Sequence, residues 1–227
     1  MIKLNLHAHT NYSDGKNTLE DMVLAYKRNG FLCAVVTDHV YSTNYKLSLT
    51  ENTYQYQIYK ATKLIGELNY PIICGLEISC RELGEEIILL GDKACVEFMH
   101  QRSKLLTYKN QIVDNYQILK DIKNKYKSYT ILAHPFLNNI DDLDRMGRIV
   151  DVIDGFEVIN AGQFQFLNRS IPVELNDKAR YCNSDAHSVK QLLRCCNTLT
   201  KDYAIKNDSD LIDTLRDYDN RYFQFLN

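Results

Sequence analysis

The sequence lacks any run of about 18 consecutive apolar residues, the length that a helix needs to span a bilayer. Its first residues predict a strand and not a secretory leader, because Ile2, Leu4 and Leu6 alternate with polar residues. No internal repeat, low-complexity tract or linker divides its 227 residues. These absences predict no membrane association and a single domain over residues 1–227, a length that one α/β barrel commonly reaches.

A strong excess of charge is missing as well. The formal net charge is −2, so bulk electrostatics gives no reason to expect nucleic-acid binding. Seven cysteines occur without a regular framework, and none of them forms a Cys-x-x-Cys pair. Such cysteines are typical of a reducing compartment, and we therefore expect free thiols in a cytoplasmic protein.

Histidine is scarce, and its placement is the strongest signal in the sequence. Only six histidines are present, and five of them lie at the ends of short apolar runs that have the composition of strands. His7 and His9 are two residues apart, so an extended backbone projects both imidazoles to the same side, with Asp14 a short loop away. Later strand-like runs are followed by further candidate ligands, namely His39, Glu77, His134 and the pair Asp185 and His187.

Helix-like segments separate most of these runs. Thr18 is expected to cap a first helix, one long helix is predicted over residues 96–126, and Asp208 is expected to cap a terminal helix. A turn at residues 81–84 precedes a buried strand at residues 87–90. This alternation predicts an α/β barrel, in which the C-terminal ends of the strands meet at one mouth and build the active site.

Imidazole nitrogens and carboxylate oxygens are ligands that Zn, Mn and Fe accept in catalytic sites. The candidate ligands are too many for one tetrahedral ion, but they fit two or three ions that share a bridging carboxylate. Ions about 3.5–4 Å apart can hold the attacking and leaving oxygens of a displacement and lower the pKa of bound water to about 7. The sequence therefore predicts two or three divalent ions (Zn, Mn or Fe) as cofactors and requires no serine or cysteine nucleophile.

The motifs His-x-His-x3-Ser-Asp-Gly, Thr-Asp-His, Gly-x-Glu-Ile-Ser, Ala-His-Pro and Ser-Asp-Ala-His occur in this order. The set resembles the PHP family (polymerase and histidinol phosphatase) from Leu4 to about His187. The resemblance implies a distorted (β/α)7 TIM-like barrel with a di- or trinuclear metal centre that hydrolyses phosphate esters. It implies that Glu77 bridges the ions, that His7, His9, Glu77 and Asp185 carry catalysis through them, and that the ligands are His7, His9, Asp14, His39, Glu77, His134, Asp185 and His187.

One position departs from the family pattern. Many members carry His-Ile-Leu-Gly in the strand after the glutamate, and this sequence has Ile88 at the histidine position. His100 is a candidate replacement, because some relatives supply this ligand later in the chain. Glu85 and Glu86 are also candidates, although two adjacent carboxylates in a turn favour a solvated surface. Whether two or three ions bind therefore stays open.

Several polar residues near these motifs have more than one interpretation. Asp38 is either a ligand or a group that orients an imidazole, and Asn160 is expected to stabilise the loop at the barrel mouth. Arg169, Arg194 and Lys190 are candidates for binding a substrate phosphate, because guanidinium and ammonium groups are its natural partners.

The leading hypothesis is a metal-dependent phosphatase that acts on a small phosphomonoester, similar to the histidinol-phosphatase branch of the family. The first alternative is a phosphodiesterase or exonuclease. The sequence shows no basic stripe with interleaved aromatic residues, but a mononucleotide or dinucleotide substrate would need none. The second alternative is a non-catalytic, regulatory PHP domain with a bound metal. The sequence makes no prediction about the oligomeric state.

Overall fold

The computed structural model describes residues 2–43, 45–106, 112–135, 143–162, 165–166, 171, 173–199, 201–217 and 223–225. The helices are α1 (Leu19–Arg28), α2 (Glu51–Leu68), α3 (Asp92–Leu105), α4 (Asn115–Lys125), α5 (Leu143–Val152) and α6 (Asp208–Asp217), with a 3-10 turn at Val173–Leu175. The strands are β1 (Ile2–Leu4), β2 (Ala34–Val40), β3 (Ile72–Cys80), β4 (Glu85–Leu90), β5 (Tyr129–Ala133), β6 (Gly155–Asn160), β7 (Gln165–Phe166), β8 (Ala179–Asn183), β9 (Cys195–Leu199) and β10 (Phe223–Phe225).

The larger sheet carries the strands that precede the predicted ligands. Its order is β2-β3-β4-β5-β6-β7, and β8 also pairs with β6. The pairs β2·β3, β5·β6 and β6·β8 are parallel, whereas β4 runs antiparallel to both β3 and β5. A smaller antiparallel sheet has the order β1-β9-β10. The predicted α/β class is therefore confirmed, with one reversed strand in the middle of the larger sheet.

The chain after β1 lies between β2 and the end of β8 and hydrogen-bonds to both. Ala8 O accepts from Thr37 N at 2.7 Å, and Ala186 O accepts from His9 N at 2.9 Å. Regular strand pairing does not continue through this segment, where the structure has an isolated bridge between Ala8 and Ala186. Irregular backbone therefore occupies the place where the barrel interpretation expects the first strand.

Asparagine side chains replace some of the backbone hydrogen bonds that regular strand pairing would supply in this segment. Leu6 N donates to Asn183 Oδ1 at 2.9 Å, and Ser184 N donates to Asn5 Oδ1 at 2.8 Å. Both asparagines are fully buried. Because buried backbone amides need partners, these two side chains hold residues 5–9 beside β8 without a continuous ladder.

Alternate strand residues divide between two apolar clusters. One cluster joins the strands to α1–α5, and we call the other the inner cluster. The inner cluster joins strand residues to one another and to α6, and its members include Val35, Ile73, Ile88, Ile131 and Tyr181. This division follows from the period of two in a strand, and it defines the face that continues toward the predicted ligands.

Two of the local predictions are confirmed and two are wrong. Thr18 caps α1 in a capping box with Asp21, and residues 81–84 form the predicted turn. The single helix over residues 96–126 is wrong, because α3 ends at Leu105 and α4 begins at Asn115 behind an Asp114 cap. Asp208 is the first residue of α6 rather than its cap, since Asn207 Oδ1 accepts from the Asp210 amide.

The described part of the chain contains no helix that is both long and apolar enough to cross a bilayer. All seven cysteines are free and buried. Their burial makes them part of the two apolar clusters and of a small group around Cys182 and Cys195.

We predict that Asn183→Ala lowers the free energy of unfolding by about 2–4 kcal/mol, because it leaves buried polar groups unpaired. Asn183 Oδ1 accepts from Leu6 N and Asn197 Nδ2, and its Nδ2 donates to Glu157. Denaturant unfolding of the metal-stripped protein measures the change. The control is Asn176→Ala in an exposed turn, and equal stability of the two variants would contradict the assigned role.

Candidate metal centre

Strand alternation brings His39 and Glu77 to one mouth of the sheet. Val35 and Ile73 belong to the inner cluster, and His39 and Glu77 follow four residues later on the same faces of β2 and β3. The two residues are partners in the parallel register. Between Ile73 and Glu77 stands Gly75, where a Cβ atom would lie 2.7 Å from the Leu90 side chain and 2.8 Å from Leu89 O. A glycine is therefore required for this close packing beneath Glu77.

His134 and Asp185 reach the same mouth through left-handed backbone. Ala133 of β5 is in the inner cluster, so extended backbone would place the next side chain on the outer face. His134 instead has a φ of 31°, and its Nε2 atom lies 3.1 Å from Glu77 Oε1. Asp185, two residues after the end of β8, has a φ of 47°. Such conformations are strained for residues with a Cβ atom and are typical of functional sites.

Asp38 holds the loop that carries Asp14. Its carboxylate accepts four hydrogen bonds of 2.5–2.8 Å, from the amide and hydroxyl of Thr10, the hydroxyl of Ser13 and the amide of Gln57. The loop passes so close to His9 that a Cβ atom on Gly15 would lie 2.6 Å from the His9 carbonyl oxygen. Asp38 therefore orients this loop, and among the described contacts it bonds no imidazole.

The first group of ligand atoms surrounds one point beneath the mouth. His7 Nε2 and His9 Nε2 lie 3.1 Å apart, and they approach Asp185 Oδ1 to 3.5 and 3.2 Å. Glu77 lies beside this group, with Oε1 3.1 Å from His7 Nε2 and Oε2 3.3 Å from His9 Nε2. Three of the four residues are fully buried and Asp185 is nearly so. Two imidazoles and two carboxylates at these separations match the donor set of a Zn, Mn or Fe ion.

The second group is closer to solvent. It contains His9, Asp14, His39 and His187. Asp14 Oδ2 lies 3.2 Å from His187 Nε2 and 3.6 Å from His39 Nε2. Burial raises the pKa of Asp14, but the hydrogen bond from His187 and the charge on His39 outweigh it and lower the pKa to about 2. Asp14 is thus an anionic ligand candidate at neutral pH.

The third group contains His39, Glu77 and Glu86, and His134 lies beside it. His134 Nε2 lies 3.1 Å from Glu77 Oε1, and His39 Nδ1 lies 2.9 Å from Glu77 Oε2. Glu86 of β4 faces the same point, with its two oxygens 3.5 Å from His134 Nε2 and 3.8 Å from His39 Nδ1. Glu77 therefore stands between the groups, in the position expected of a bridging carboxylate.

The structure brings all the predicted metal ligands together. Its groups of possible ligands contain His7, His9, Asp14, His39, Glu77, His134, Asp185 and His187, and they add Glu86. His100 is not among them. It lies on α3 with its Nδ1 atom 3.0 Å from Glu51 Oε1 and a side chain that is 45% exposed. Glu85 is buried on β4 and also outside the groups. The structure therefore places Glu86, and not His100, beside the predicted ligands.

The structure describes two of the three residues expected to bind the substrate phosphate. Arg194 donates from Nη1 to the Ala161 carbonyl oxygen at 3.3 Å, and Lys190 is exposed. Arg169 lies outside the described residues. None of the groups of possible metal ligands includes a residue of the 188–194 segment.

Glu157 is a component of the site that sequence reasoning missed. It is buried on β6, and its Oε1 atom lies 2.9 Å from His7 Nδ1. Its Oε2 atom accepts from His134 N and from Asn160 Nδ2, both at 2.8 Å. Asn160 therefore supports the site by donating a hydrogen bond to Glu157, in addition to its expected role in the loop. A carboxylate on the far nitrogen of an imidazole directs the other nitrogen toward a metal. The feature of the sequence that could have revealed this role is a glutamate inside the otherwise largely apolar strand Gly155–Asn160.

Glu77 dominates the electrostatics of the metal-free site. Burial raises the pKa of its carboxyl, but positive charge on His7 and His39 holds the pKa well below its usual range. Burial lowers the pKa of His39 and of His134, yet interaction with Glu77 raises the pKa to about 9 for both rings. Burial and the nearby His39 lower the pKa of His9. Protonated imidazole rings therefore balance the negative charge of the carboxylates in the site.

The residues fit a divalent metal ion. His9 Nδ1, His39 Nδ1 and Glu77 Oε2 are buried and have no hydrogen bond of acceptable geometry. Buried polar atoms without partners are costly, and a cation among them would satisfy nitrogen lone pairs and carboxylate oxygens together. The mixed nitrogen and oxygen donors suit Zn, Mn and Fe.

Comparison with known families agrees with this geometry. The model of the PHP domain family matches residues 5–153, which is more than half of the chain. The chain belongs to the PHP domain family. The match includes six of the predicted ligands and ends before Asp185 and His187. No curated protein sequence matches the chain.

Solved structures share the PHP-type fold at low identity. A protein of Bifidobacterium adolescentis named as a candidate metal-dependent phosphoesterase is 14% identical, with a TM-score of 0.56 over 93% of this chain and 95% of that chain. A two-domain protein of Bacteroides vulgatus, named as containing a predicted PHP-like metal-dependent phosphoesterase, is 17% identical with a TM-score of 0.57. That alignment covers 84% of this chain and 53% of the other, so the chain spans about half of that protein. PsfC from Pseudomonas syringae is 15% identical, with a TM-score of 0.51 over 93% and 88% of the two chains.

We predict that metal affinity rises with pH between about 6 and 9, because imidazoles must lose their protons to bind a metal. The pKa of His39 and of His134 is raised to about 9 in the metal-free protein, so both rings are protonated at neutral pH. Calorimetric titration with Mn²⁺ in two buffers of different ionisation enthalpy measures the protons released. Affinity that stays constant across this range would contradict the assignment.

We predict that Glu157→Gln weakens metal binding by about 10–100-fold while the fold is retained, because the support of His7 is lost. Chelator competition measures the affinity, and circular dichroism confirms folding. Glu174→Gln, on an exposed turn, is the control and is expected to bind metal like the unmodified protein. Equal affinity in both variants would show that Glu157 has no part in positioning His7.

Proposed function

We propose that the protein is a metal-dependent phosphatase that hydrolyses a small phosphomonoester. The observation that carries this proposal is the convergence of nine histidine, aspartate and glutamate side chains around the shared carboxylate of Glu77. The PHP family and two structural neighbours named as phosphoesterases support the same reaction class. We further propose that His7, His9, Glu77 and Asp185 hold the ion at which the reaction occurs, and that two or three ions bind in all.

The side chains of the site have different roles, which depend on their positions. Divalent ions bound here supply an activated water at neutral pH and neutralise the charge on phosphoryl oxygens. Glu77 would hold neighbouring ions, because its carboxylate oxygens lie 2.9–3.3 Å from ring nitrogens of His7, His9, His39 and His134. Glu157 fixes the His7 ring, and Asp38 fixes the loop of Asp14. The rigid supports leave the ligands preorganised for the reaction.

A cleft beside the third group offers a place for the organic part of the substrate. It has a volume of about 420 Å³, and its lining includes His134 and Glu86 together with Tyr41, Ser42, Thr43 and Arg81. Ligand pockets for small molecules are typically about 300–1,000 Å³ in volume. Hydroxyl groups and a guanidinium suit a polar phosphate ester, and we propose Arg81 as the residue that binds the phosphate.

The buried Arg102 stabilises this wall of the cleft. Its Nη2 atom donates to the carbonyl oxygens of Tyr41 and Thr43, and the Tyr41 ring stacks on His39 with ring centroids 5.0 Å apart. These contacts hold the backbone of Tyr41 and Thr43 in place at the edge of the cleft.

The test is activity after metal reconstitution. Metal-free protein is loaded with Mn, Zn or Fe, and hydrolysis of p-nitrophenyl phosphate is compared with that of bis-p-nitrophenyl phosphate. We expect metal-dependent monoesterase activity that falls by about 100-fold or more in His9→Ala, because two ligand groups lose an imidazole. His100→Ala removes a histidine outside the site and is the matched control.

Two results would contradict the proposal. Cleavage of the diester without the monoester would favour the phosphodiesterase. Full metal loading without cleavage of either substrate would favour a non-catalytic, regulatory PHP domain.

A further inference from the structure

We infer that Glu86 is a metal ligand and that its carboxylate replaces the imidazole that many PHP proteins carry two positions later in the chain. The inference rests on the proposed metal centre and adds a ligand to it. It assigns the third ion position to His39, Glu77 and Glu86, whose ligand atoms form one group, with His134 beside them. The expected ligand is a divalent cation that accepts oxygen donors.

The reversed direction of β4 brings Glu86 to the mouth. Because β4 is antiparallel to β3 and β5, its beginning lies where its neighbours end. In this register Glu86 is the partner of Ala133 on one side and of Ser79 on the other. Ala133 immediately precedes His134, so the carboxylate and the imidazole come from adjacent strand ends.

The face of β4 determines which of its residues can reach the site. Ile88 and Leu90 belong to the inner cluster, and Glu86 continues the same face toward the mouth. Ile88 is fully buried in that cluster and opposes Glu77 in the register. The apolar side chain of Ile88 offers no donor atom to a metal. Glu86, two residues nearer the mouth on the same face, reaches Glu77 and His134.

Two of the three distances around Glu86 match those between ligands of one ion, and the third is slightly longer. Donor atoms on a metal with bonds of about 2.0–2.2 Å are separated by about 3.0–3.5 Å. Glu86 Oε2 lies 3.5 Å from His134 Nε2, and Glu77 Oε1 lies 3.1 Å from the same nitrogen. Glu86 Oε1 lies 3.8 Å from His39 Nδ1, a buried atom without a hydrogen bond. The Oε2 atom of Glu77, also buried and without a hydrogen bond, faces this nitrogen.

A carboxylate at this position changes the ion that the site prefers. Carboxylate oxygens favour harder cations such as Mn²⁺, whereas imidazoles suit Zn²⁺ well. With Glu86, the centre contains four carboxylates, namely Asp14, Glu77, Glu86 and Asp185. The additional negative charge offsets the charge of a further divalent ion in a buried site.

The experiment counts ions instead of measuring turnover. Metal-free protein, Glu86→Gln, Glu86→His and Glu85→Gln are each dialysed against Mn²⁺ or Zn²⁺, and bound ions are counted by mass spectrometry of the native protein and by elemental analysis. Glu85 is the adjacent carboxylate on β4 and belongs to no ligand group, so Glu85→Gln is the matched control. Circular dichroism establishes that each variant is folded.

We expect Glu86→Gln to lose one ion, or to bind its weakest ion at least about tenfold less tightly, while Glu85→Gln matches the unmodified protein. Glu86→His is expected to restore the ion count with a shift in preference from Mn²⁺ toward Zn²⁺. If the unmodified protein binds metal and Glu86→Gln binds it equally, the inference about Glu86 is overturned while the proposed function stands. If the unmodified protein binds no metal, the proposed function fails and the inference with it.

Discussion

One buried carboxylate organises the centre of this protein. Glu77 has no exposed surface, and its two oxygens lie 2.9–3.3 Å from ring nitrogens of His7, His9, His39 and His134. A buried carboxylate is costly unless it is paired, and here the partners come from three other segments of the chain. The ends of β2, β3 and β5 and the segment after β1 must therefore all meet correctly for this one charge to be tolerated. The fold and the site depend on the same contact.

The position of some residues that sequence reasoning identified follows from local pattern. His39 and Glu77 lie in strands with a clear period of two, and His7 and His9 share a face for the same reason. His134 and Asp185 reach the site only through left-handed backbone, which the period of two does not predict. The position of Glu86 does not follow from local pattern. It lies near the start of β4, and β4 runs antiparallel to β3 and β5, so its start lies at the mouth where β3 and β5 end. Strand direction is a tertiary property that is set by neighbours and connections.

The remaining differences have a similar origin. The apolar spacing over residues 96–126 is compatible with one helix, yet the chain forms two, capped at Asp114, because tertiary packing decides which periodic segments continue. Glu157 has no motif of its own, and its role appears only when β6 lies beside β5 and its carboxylate meets His7 and the His134 amide. The asparagine contacts at residues 5 and 183 likewise join segments from opposite ends of the chain.

The short turn at residues 81–84 has a consequence for how this protein can change. Arg81 and Gly84 line the proposed substrate cleft, and the same turn sets the register in which β4 places Glu86 beside His39 and Glu77. A one-residue insertion there would change the lining of the cleft, and it would also reverse the faces of β4 and exchange Glu86 for its neighbour. The lining of the cleft and the carboxylates beside Glu77 therefore depend on the same turn, whereas the 41–43 wall carries no residue of the ligand groups.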